Sequence, residues 1–240
     1  MEGFAEFGPR MVVLTGAGIS AESGVPTFRG PDGLWGRYRP EELATPEAFA
    51  RNPLRVWEWY AWRRELIARA EPNPAHQTLA EMEAALPGFL LITQNVDGLH
   101  QRAGNRRVVE LHGNLWRVRC PRERQVWEDH RVPLPELPPR CPTCGAFLRP
   151  DVVWFGEPLP PEEWQHAMEA AREAEIFLVI GTSGIVEPAA SLPRLARVHG
   201  AYLVEFNLED TPLTPLMDEI WRGPVSETLP RWWARFQRGK

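Results

Sequence analysis

Mostly apolar runs recur along the chain, and each ends at glycine or a polar residue. The runs are Met11 to Leu14, Phe89 to Ile92, Val108 to Leu111, Ile176 to Ile180 and Tyr202 to Phe206. Runs of this length and composition are typical of strands that are buried on both faces of a sheet. The pattern therefore predicts five buried strands.

Three segments with helical periodicity lie between these strands, at His76 to Leu86, Pro161 to Ala174 and Ala189 to His199. A repeated order of strand, turn and helix predicts an α/β fold with a parallel sheet. The loops TGAG, TQNVDG, HGN and GTSG follow predicted strands. They should therefore meet at the carboxyl edge of the sheet, which is where parallel sheets bind ligands.

Two stretches interrupt this alternation. Gly30 to Pro74 is rich in Trp, Arg and Pro and contains a predicted helix near Pro53 to Ala70. Cys120 to Pro150 is polar and Pro-rich and holds all three cysteines. We predict that each stretch is an insertion and that the two form a smaller lobe beside the sheet.

Length and composition exclude several classes of protein. The 240 residues, 43% hydrophobic and 25% charged, are typical of a globular chain with one core domain. A formal net charge of -5 without a basic block argues against direct nucleic-acid binding. No apolar run approaches the roughly 20 residues that span a membrane. The odd number of cysteines and an N-terminus without a signal-peptide pattern predict a cytoplasmic protein.

Three glycines follow the first predicted strand, at Gly16, Gly18 and Gly24. Glycines at this position permit a tight turn and the close approach of a pyrophosphate to the backbone. A dehydrogenase would also place an acidic residue at the end of a second strand about 20 residues on. The sequence there is PDGLWGRYRPEE, without a preceding strand, so hydride transfer is disfavoured.

The glycines belong to a longer string, GAGISAESGVPTFRG, and four further motifs follow it: TQNVDGLH, LHG around His112, VVWFGE and IGTS. In content and order, from about Arg10 to Pro230, they resemble the sirtuins, a family of NAD-dependent protein lysine deacylases. The resemblance implies an α/β fold in which a Rossmann-like parallel sheet domain carries a smaller lobe made of a helical module and a zinc-ribbon-like module. The implied boundaries are 1–30, 75–115 and 150–240 for the Rossmann-like NAD-binding domain, 31–74 for the helical module and 116–149 for the zinc-ribbon-like module.

The resemblance also implies that NAD is the co-substrate and that the loops at the carboxyl edge bind it. Backbone donors at a helix start together with the Arg29 guanidinium suit a diphosphate, and Asp97 would accept a hydrogen bond from the nicotinamide carboxamide. Taken alone, TQNVDG is equally typical of an Asx-rich turn after a strand. The implied NAD-binding residues are Gly16, Ala17, Gly18, Ile19, Ser20, Thr27, Phe28, Arg29, Trp35, Gln94, Asn95, Val96, Asp97, Gly181, Thr182, Ser183, Asn207, Leu208, Glu209 and Val225.

His112 is the predicted catalytic residue. It ends a predicted strand, and an imidazole titrates near neutral pH, so it can accept a proton under cellular conditions. In sirtuins the acyl-lysine amide oxygen attacks the ribose anomeric carbon and nicotinamide leaves. The matching histidine then accepts a proton from a ribose hydroxyl, and the activated sugar oxygen attacks the imidate carbon. Water completes the release of free lysine and O-acyl-ADP-ribose.

The substrate peptide should lie as a strand between the loops Val153 to Glu157 and Gly181 to Ala189, as in other modes of strand addition. Tyr60 and Arg63 lie three residues apart on one helix face. Such a pair could bind a carboxylate, although Arg63 could also extend along an aromatic helix to solvent. The pair matches sirtuins that remove succinyl and malonyl groups, with acetyl removal as a second activity. The implied substrate-binding residues are Tyr60, Arg63, Val153, Phe155, Gly156, Gly184 and Val186.

One departure from the family lies in the second of these loops, where Glu187 stands at a position that often carries an aromatic residue in relatives. A second departure lies among the cysteines. Cys141 and Cys144 form a strong metal-binding pair, and Cys120 lies upstream, but a tetrahedral zinc site needs four ligands. Asp129, His130 or water could complete the site, or the site could have been lost.

Other functions remain compatible with the predicted site. A mono-ADP-ribosyltransferase would transfer the same activated sugar to a protein, and a plain deacetylase would lack the preference for a carboxylate. A module that only senses NAD would not need His112, Asn95 and Asp97. Because Lys240 is the single lysine of the chain, the predicted partners are acylated lysine side chains of other proteins, without direct nucleic-acid or membrane partners.

Overall fold

The structure is a computed structural model that describes residues 9–28 and 33–239. The strands of this part are β1 Met11–Thr15, β2 Phe89–Thr93, β3 Val108–Glu110, β4 Gly113–Arg119, β5 Val126–Glu128, β6 Arg149–Val152, β7 Ile176–Ile180, β8 Tyr202–Asn207 and β9 Glu219–Arg222. The helices are α1 Gly18–Ala21, α2 Leu34–Arg37, α3 Pro40–Leu43, α4 Pro46–Arg51, α5 Pro53–Arg69, α6 Pro74–Ala85, α7 Leu99–Ala103, α8 Pro161–Glu173, α9 Leu192–Val198 and α10 Val225–Arg238, with 3₁₀ turns at Ala189–Ser191 and Thr214–Leu216.

The larger sheet has six parallel strands in the order β3-β2-β1-β7-β8-β9. Strand β1 is fully buried at its centre, where Val13 pairs with Leu91 on one side and with Leu178 on the other. Helices cover both faces of this sheet, and two separate apolar clusters lie between helices and strands. The five strands predicted from apolar runs are confirmed, and the α/β class with them.

The smaller sheet is antiparallel and has the order β5-β4-β6. It shares a third apolar cluster with α5. Trp57 of α5 is fully buried in that cluster, and its indole Nε1 donates a 2.7 Å hydrogen bond to the carbonyl of Leu148. The two stretches that interrupt the α/β alternation therefore pack on one another. Strands β4 and β6 extend beyond residues 116–149, the predicted zinc-ribbon-like module. The boundaries of the domain and its two modules stay predictions.

Capping side chains fix where the long helices begin. Asn52 accepts a hydrogen bond from Arg55 N at the start of α5, and Asn73 forms a capping box with His76 at the start of α6. Such caps stabilise a helix by about 1 kcal/mol each. The Asn73 amide also donates to the carbonyl of Ile19 at 2.7 Å. The cap of α6 therefore holds the glycine-rich segment in place. No helix of the described residues has both the length and the apolar character that crossing a membrane requires.

Candidate functional site

The loops after β1 and β7 are in direct backbone contact at the carboxyl edge of the larger sheet. Gly16 N donates to the Ile180 carbonyl at 3.0 Å, and Gly18 N donates to the Gly181 carbonyl at 2.8 Å. A Cβ atom on Gly18 would lie 2.7 Å from Gly181 Cα, and Gly181 itself has φ +58°. Only glycine permits this approach. The edge therefore presents bare backbone, the kind of surface against which a pyrophosphate packs.

A buried hydrogen-bond network joins the loop after β1 to the loop after β2. Ser20 Oγ donates to Asp97 Oδ2 at 2.7 Å, and Asn95 Nδ2 donates to the Gly16 carbonyl at 3.1 Å. Leu99 N donates to the other Asp97 oxygen at 2.9 Å. Burial raises the pKa of Asp97, and these hydrogen bonds together with the charge of Arg63 oppose that rise. Three of the predicted NAD-binding side chains are thus held in one network.

Two buried histidines that the sequence analysis did not single out, His76 and His100, contact residues in and beside this network. His76 and His100 lie with ring centroids 5.0 Å apart. His100 Nε2 lies 3.0 Å from Thr15 Oγ1, and His76 Nε2 lies 3.4 Å from Ser20 Oγ. Burial lowers the pKa of His76 to about 4 and that of His100 well below its usual value. Both rings are therefore neutral at pH 7. The sequence offered little to identify these two residues. His76 follows a capping asparagine, and His100 is the last residue of TQNVDGLH.

His112 lies at the same edge, between β3 and β4, and is partly exposed. Its Nδ1 lies 3.0 Å from the carbonyl oxygen of Gln94. A carbonyl only accepts, so Nδ1 carries the proton and Nε2 is left with a lone pair. Burial lowers the pKa of His112, and the bond to Gln94 partly offsets this. A neutral imidazole with a free Nε2 can act as a general base.

The far side of the edge is formed by the loops after β7 and β8. Gln94 Nε2 donates to Thr182 Oγ1 at 3.1 Å, and Asn207 Nδ2 donates to the Thr182 carbonyl at 2.8 Å. Leu208 is 67% exposed, whereas the Val225 side chain is buried in the apolar cluster beneath α10. Thr182 therefore links the loop after β2 to the loop after β8. Because the Val225 side chain is buried, only the backbone of Val225 can contact a ligand at this edge.

The remaining predicted NAD- and substrate-binding residues lie on several elements around the site. Arg29 lies outside the described residues, and Trp35 falls within α2, Leu34–Arg37. Ile19 is fully buried in the apolar cluster under the sheet, so only its backbone faces the edge. The other predicted positions lie in the loops that follow β1, α1, β2, β6, β7 and β8, at Ala17, Thr27, Val96, Gly156, Ser183, Gly184, Val186 and Glu209.

Tyr60 and Arg63 are both buried on α5, with 3% and 6% exposure. The Arg63 guanidinium carbon lies 4.7 Å from the ring centroid of Phe28 and 5.0 Å from that of Trp59. Within residues 9–28 and 33–239, no carboxylate pairs with this guanidinium. The Tyr60 hydroxyl accepts a 3.0 Å hydrogen bond from Trp154 Nε1, and burial raises its pKa to about 12. Arg63 is therefore a buried cation that has no contact ion pair in the described chain, although the Asp97 carboxylate acts on its charge.

The segment Val153 to Glu157, predicted to pair with a peptide, forms a turn. The N–H groups of Val153 and Phe155 donate to carbonyls elsewhere in the chain at 2.9 Å. Trp154 N donates to a Glu157 carboxylate oxygen at 2.9 Å, and Glu157 N donates back to the Trp154 carbonyl at 3.0 Å. A peptide strand on this segment would therefore pair with its carbonyls and with Gly156 N–H.

The sulfur atoms of Cys120, Cys141 and Cys144 lie within 4.8 Å of one another. The Cys120 and Cys144 sulfurs are 3.6 Å apart, and ligand sulfurs on one tetrahedral zinc lie about 3.8 Å apart. The three cysteines thus fit a zinc ion.

Neither side chain considered above as a fourth protein ligand belongs to this cluster. Asp129 is buried and forms ion pairs with Arg64 and Arg131, and those guanidinium groups hold its pKa below the usual range even though burial would raise it. His130 stacks on Trp116 with ring centroids 5.6 Å apart. Both side chains are engaged elsewhere, so the three cysteines are the clustered ligands within the described residues.

A family model described as the Sir2 family matches residues 16–188 of the chain. An NAD-dependent protein deacylase of Aquifex aeolicus is 57% identical over 221 residues, which cover 92% of each chain. NAD-dependent protein deacylase 2 of Pyrobaculum aerophilum is 59% identical over 220 residues, 92% of this chain and 88% of that protein.

Solved structures agree with these relatives. A mutant Sir2 homologue in complex with ADP-ribose has a TM-score of 0.92 at 50% identity and covers 95% of this chain and 92% of its own. A Sir2 homologue in complex with NAD has a TM-score of 0.89 at 50% identity and covers 95% and 90%. The resemblance carried by the motifs is confirmed by sequence and by fold.

Proposed function

The chain belongs to the Sir2 family, and on that premise we propose that it is an NAD-dependent protein lysine deacylase. Its products would be nicotinamide, free lysine and O-acyl-ADP-ribose. The observation that carries the proposal is the position of His112. Its proton-free Nε2 lies at the same sheet edge as the Gly16 to Gly18 backbone and the buried Asp97 carboxylate. The names of the relatives support the same activity.

The roles of the chain's own residues follow from this geometry. The backbone of Gly16 and Gly18 would receive the diphosphate of NAD, and Asp97 would accept a hydrogen bond from the carboxamide. When bound, NAD supplies the ribose carbon to which the acyl oxygen adds. His112 Nε2 would then accept the proton of a ribose hydroxyl, while Gln94 holds the ring in the required tautomer.

We further propose that the preferred acyl groups are succinyl and malonyl, with acetyl removal as a second activity. The buried Arg63 guanidinium lies against aromatic faces, and the Asp97 charge offsets its desolvation in part. A ligand carboxylate would supply the contact ion pair that the described chain does not. Because Tyr60 accepts its hydrogen bond from Trp154, the phenol proton is available to the same carboxylate. The phenol stays neutral at physiological pH, since burial raises its pKa.

The partners would be acylated lysine side chains of other proteins. The chain supplies one lysine, Lys240, at its end, so self-modification has almost no target. We also propose a cytoplasmic location, since an odd number of cysteines does not suit a closed disulfide framework.

One assay tests the activity. Nicotinamide release would be followed with acetyl-, succinyl- and malonyl-lysine peptides, and the sugar product would be identified by mass spectrometry. A deacylase yields O-acyl-ADP-ribose in step with nicotinamide. Label from NAD that stays on protein would instead establish a mono-ADP-ribosyltransferase, and NAD binding without nicotinamide release would establish a sensor.

The acyl preference is tested by Tyr60→Phe and Arg63→Met, with Arg69→Met as the matched control on the exposed end of α5. Loss of a charge-assisted hydrogen bond in a buried site lowers kcat/KM for the succinyl peptide by about 10- to 100-fold. We expect this loss in both variants, little change for the acetyl peptide, and native values in the control. Equal losses on both peptides would reject the carboxylate-binding role and leave the deacylase proposal standing.

A further inference from the structure

Two turns carry the three cysteines, and their backbones follow the same pattern. In the first, Cys120 N donates to the Gln125 carbonyl at 2.9 Å and Arg124 N donates to the Cys120 carbonyl at 2.9 Å. In the second, Cys141 N donates to the Ala146 carbonyl at 2.8 Å and Gly145 N donates to the Cys141 carbonyl at 2.9 Å. The hydrogen bonds thus join corresponding positions in both turns.

The backbone angles repeat as well. The fifth residue of each turn, counted from Cys120 or Cys141, has a left-handed backbone. Its φ is 57° at Arg124 and 70° at Gly145. Within the described residues, Arg124 is the single non-glycine residue with positive φ. An ordinary side chain adopts this conformation at a cost of the order of 1 kcal/mol. The first turn is therefore kept in the metal-binding conformation although it has no glycine.

Superposing the two patterns pairs Cys120 with Cys141 and Glu123 with Cys144. Glu123 N lies 3.4 Å from the Cys120 sulfur and donates to it, so the fourth residue of the first turn is folded back over the first. The position that would hold a fourth cysteine is thus present in the backbone and carries a carboxylate. Glu123 is exposed, and within the described chain its carboxylate has no hydrogen bond or ion pair.

We propose that Glu123 supplies the fourth ligand of a zinc ion held by Cys120, Cys141 and Cys144. Zinc accepts carboxylate oxygen at roughly 2.0–2.2 Å beside thiolate sulfur at roughly 2.3 Å. The carboxylate is not among the clustered ligand atoms of this structure, so coordination requires the exposed side chain to rotate towards the three sulfurs. The site is structural, and this inference does not depend on the proposed deacylase activity.

The test compares zinc binding by the native chain, Glu123→Gln, Glu123→Cys and the control Glu128→Gln, an exposed carboxylate on β5 of the same small sheet. Zinc content is measured by elemental analysis, and the dissociation constant by competition with a chromogenic chelator. Substitution with cobalt(II) reports tetrahedral geometry by its visible bands and the number of thiolate ligands by its sulfur-to-metal charge-transfer absorption.

We expect one zinc per native chain, a dissociation constant raised about 10-fold or more in Glu123→Gln, and native affinity in Glu128→Gln. Glu123→Cys should bind zinc at least as tightly as the native chain and add one thiolate contribution to the cobalt spectrum. Equal affinity in the native chain and Glu123→Gln would overturn the proposal and assign the fourth position to water. A native chain that binds no zinc while Glu123→Cys does would overturn it as well.

Discussion

His112 Nδ1 and the carbonyl oxygen of Gln94 lie 3.0 Å apart, and this contact fixes the tautomer of the ring. Gln94 is itself anchored, because its backbone N–H donates to the Thr15 carbonyl at 3.0 Å. The imidazole is therefore oriented by main-chain atoms of β1 and of the residue that follows β2, and not by a flexible side chain. Its orientation should persist when neighbouring side chains are changed.

The activity should depend on pH through His112. The folded-state pKa of His112 is lowered from 6.5 by burial, and only the neutral ring accepts a proton. We therefore expect kcat/KM to be constant at neutral pH and to fall as pH decreases through a midpoint below 6.5. The measurement is kcat/KM for an acyl-lysine peptide from pH 5 to 8, with the stability of the enzyme checked at each pH. An acid limb centred above 6.5 would contradict the assignment.

His112→Ala separates catalysis from binding. Loss of a general base lowers turnover by about 10²- to 10⁴-fold, whereas the glycine backbone and Asp97 remain in place. We expect nicotinamide release to be almost abolished and the dissociation constant for NAD, measured by calorimetry, to stay within a few-fold of the native value. A variant with near-native turnover would refute the role of His112.

The large sheet was predictable because burial on both faces leaves a continuous apolar run, as in β1, Met11–Thr15. Strand β9 was not predicted, since EIWR is an edge strand with mostly half-exposed side chains and no apolar run. Strand β6 has the sequence RPDV, whose polar residues give no strand pattern. These strands exist because of partners that are distant in the chain, which local periodicity does not record.

The site was predictable to a different extent. Motifs placed the loops of the sheet edge correctly, because parallel topology brings the carboxyl ends of strands together. The support of Ser20 by His76 and of Thr15 by His100 was not predictable. The sequence alone does not distinguish a buried, neutral histidine from a catalytic one, because the difference arises from the packing around the ring.

Gly18 should not tolerate a methyl group. A Cβ there would lie 2.7 Å from Gly181 Cα and from the Gly181 carbonyl oxygen, both main-chain atoms that have little room to move. We expect Gly18→Ala to lower the free energy of unfolding by about 1–3 kcal/mol and to weaken NAD binding. Gly36→Ala in α2 is the control, because open space surrounds its Cβ position. Urea unfolding checks both variants, and equal stability of the two would contradict the close contact.

Asp129 should contribute strongly to the stability of the smaller lobe. Its side chain and that of Arg64 are 4% and 1% exposed, and Asp129→Asn would leave Arg64 without its counter-ion. We expect a loss of about 3–5 kcal/mol in the free energy of unfolding. The neighbouring change Glu128→Gln removes a carboxylate that is 79% exposed and should have almost no effect.

The pH dependence of this contribution has a defined sign. Because the pKa of Asp129 is lowered in the folded chain, its contribution is present above the unfolded value of 3.8 and is lost as pH falls through the folded pKa. The difference in stability between the native chain and Asp129→Asn should therefore shrink below pH 4. A difference that stays constant from pH 7 to 3 would contradict the ion pair.

Glu205 holds the loop that follows β8. It is fully buried, and its carboxylate accepts hydrogen bonds from Thr211 Oγ1 at 2.7 Å, from Thr214 Oγ1 at 2.6 Å and from Arg222 at 2.8 Å. By the resemblance to sirtuins, the predicted NAD-binding residues Asn207, Leu208 and Glu209 at the start of this loop would contact the adenosine part of NAD. An amide in place of the carboxylate removes the charge and turns one acceptor into a donor, so the loop loses its fixed position.

We therefore expect Glu205→Gln to raise KM for NAD by about 10-fold and to leave kcat within about two-fold, because the adenosine end does not change during the reaction and contributes uniform binding. The control is Glu173→Gln at the exposed end of α8, which should match the native enzyme in both constants. Initial rates at saturating peptide and varied NAD separate the two effects. A fall in kcat at unchanged KM would contradict this expectation. It would show that the loop after β8 acts on the reacting end of the site, because loss of an interaction made only in the transition state lowers kcat.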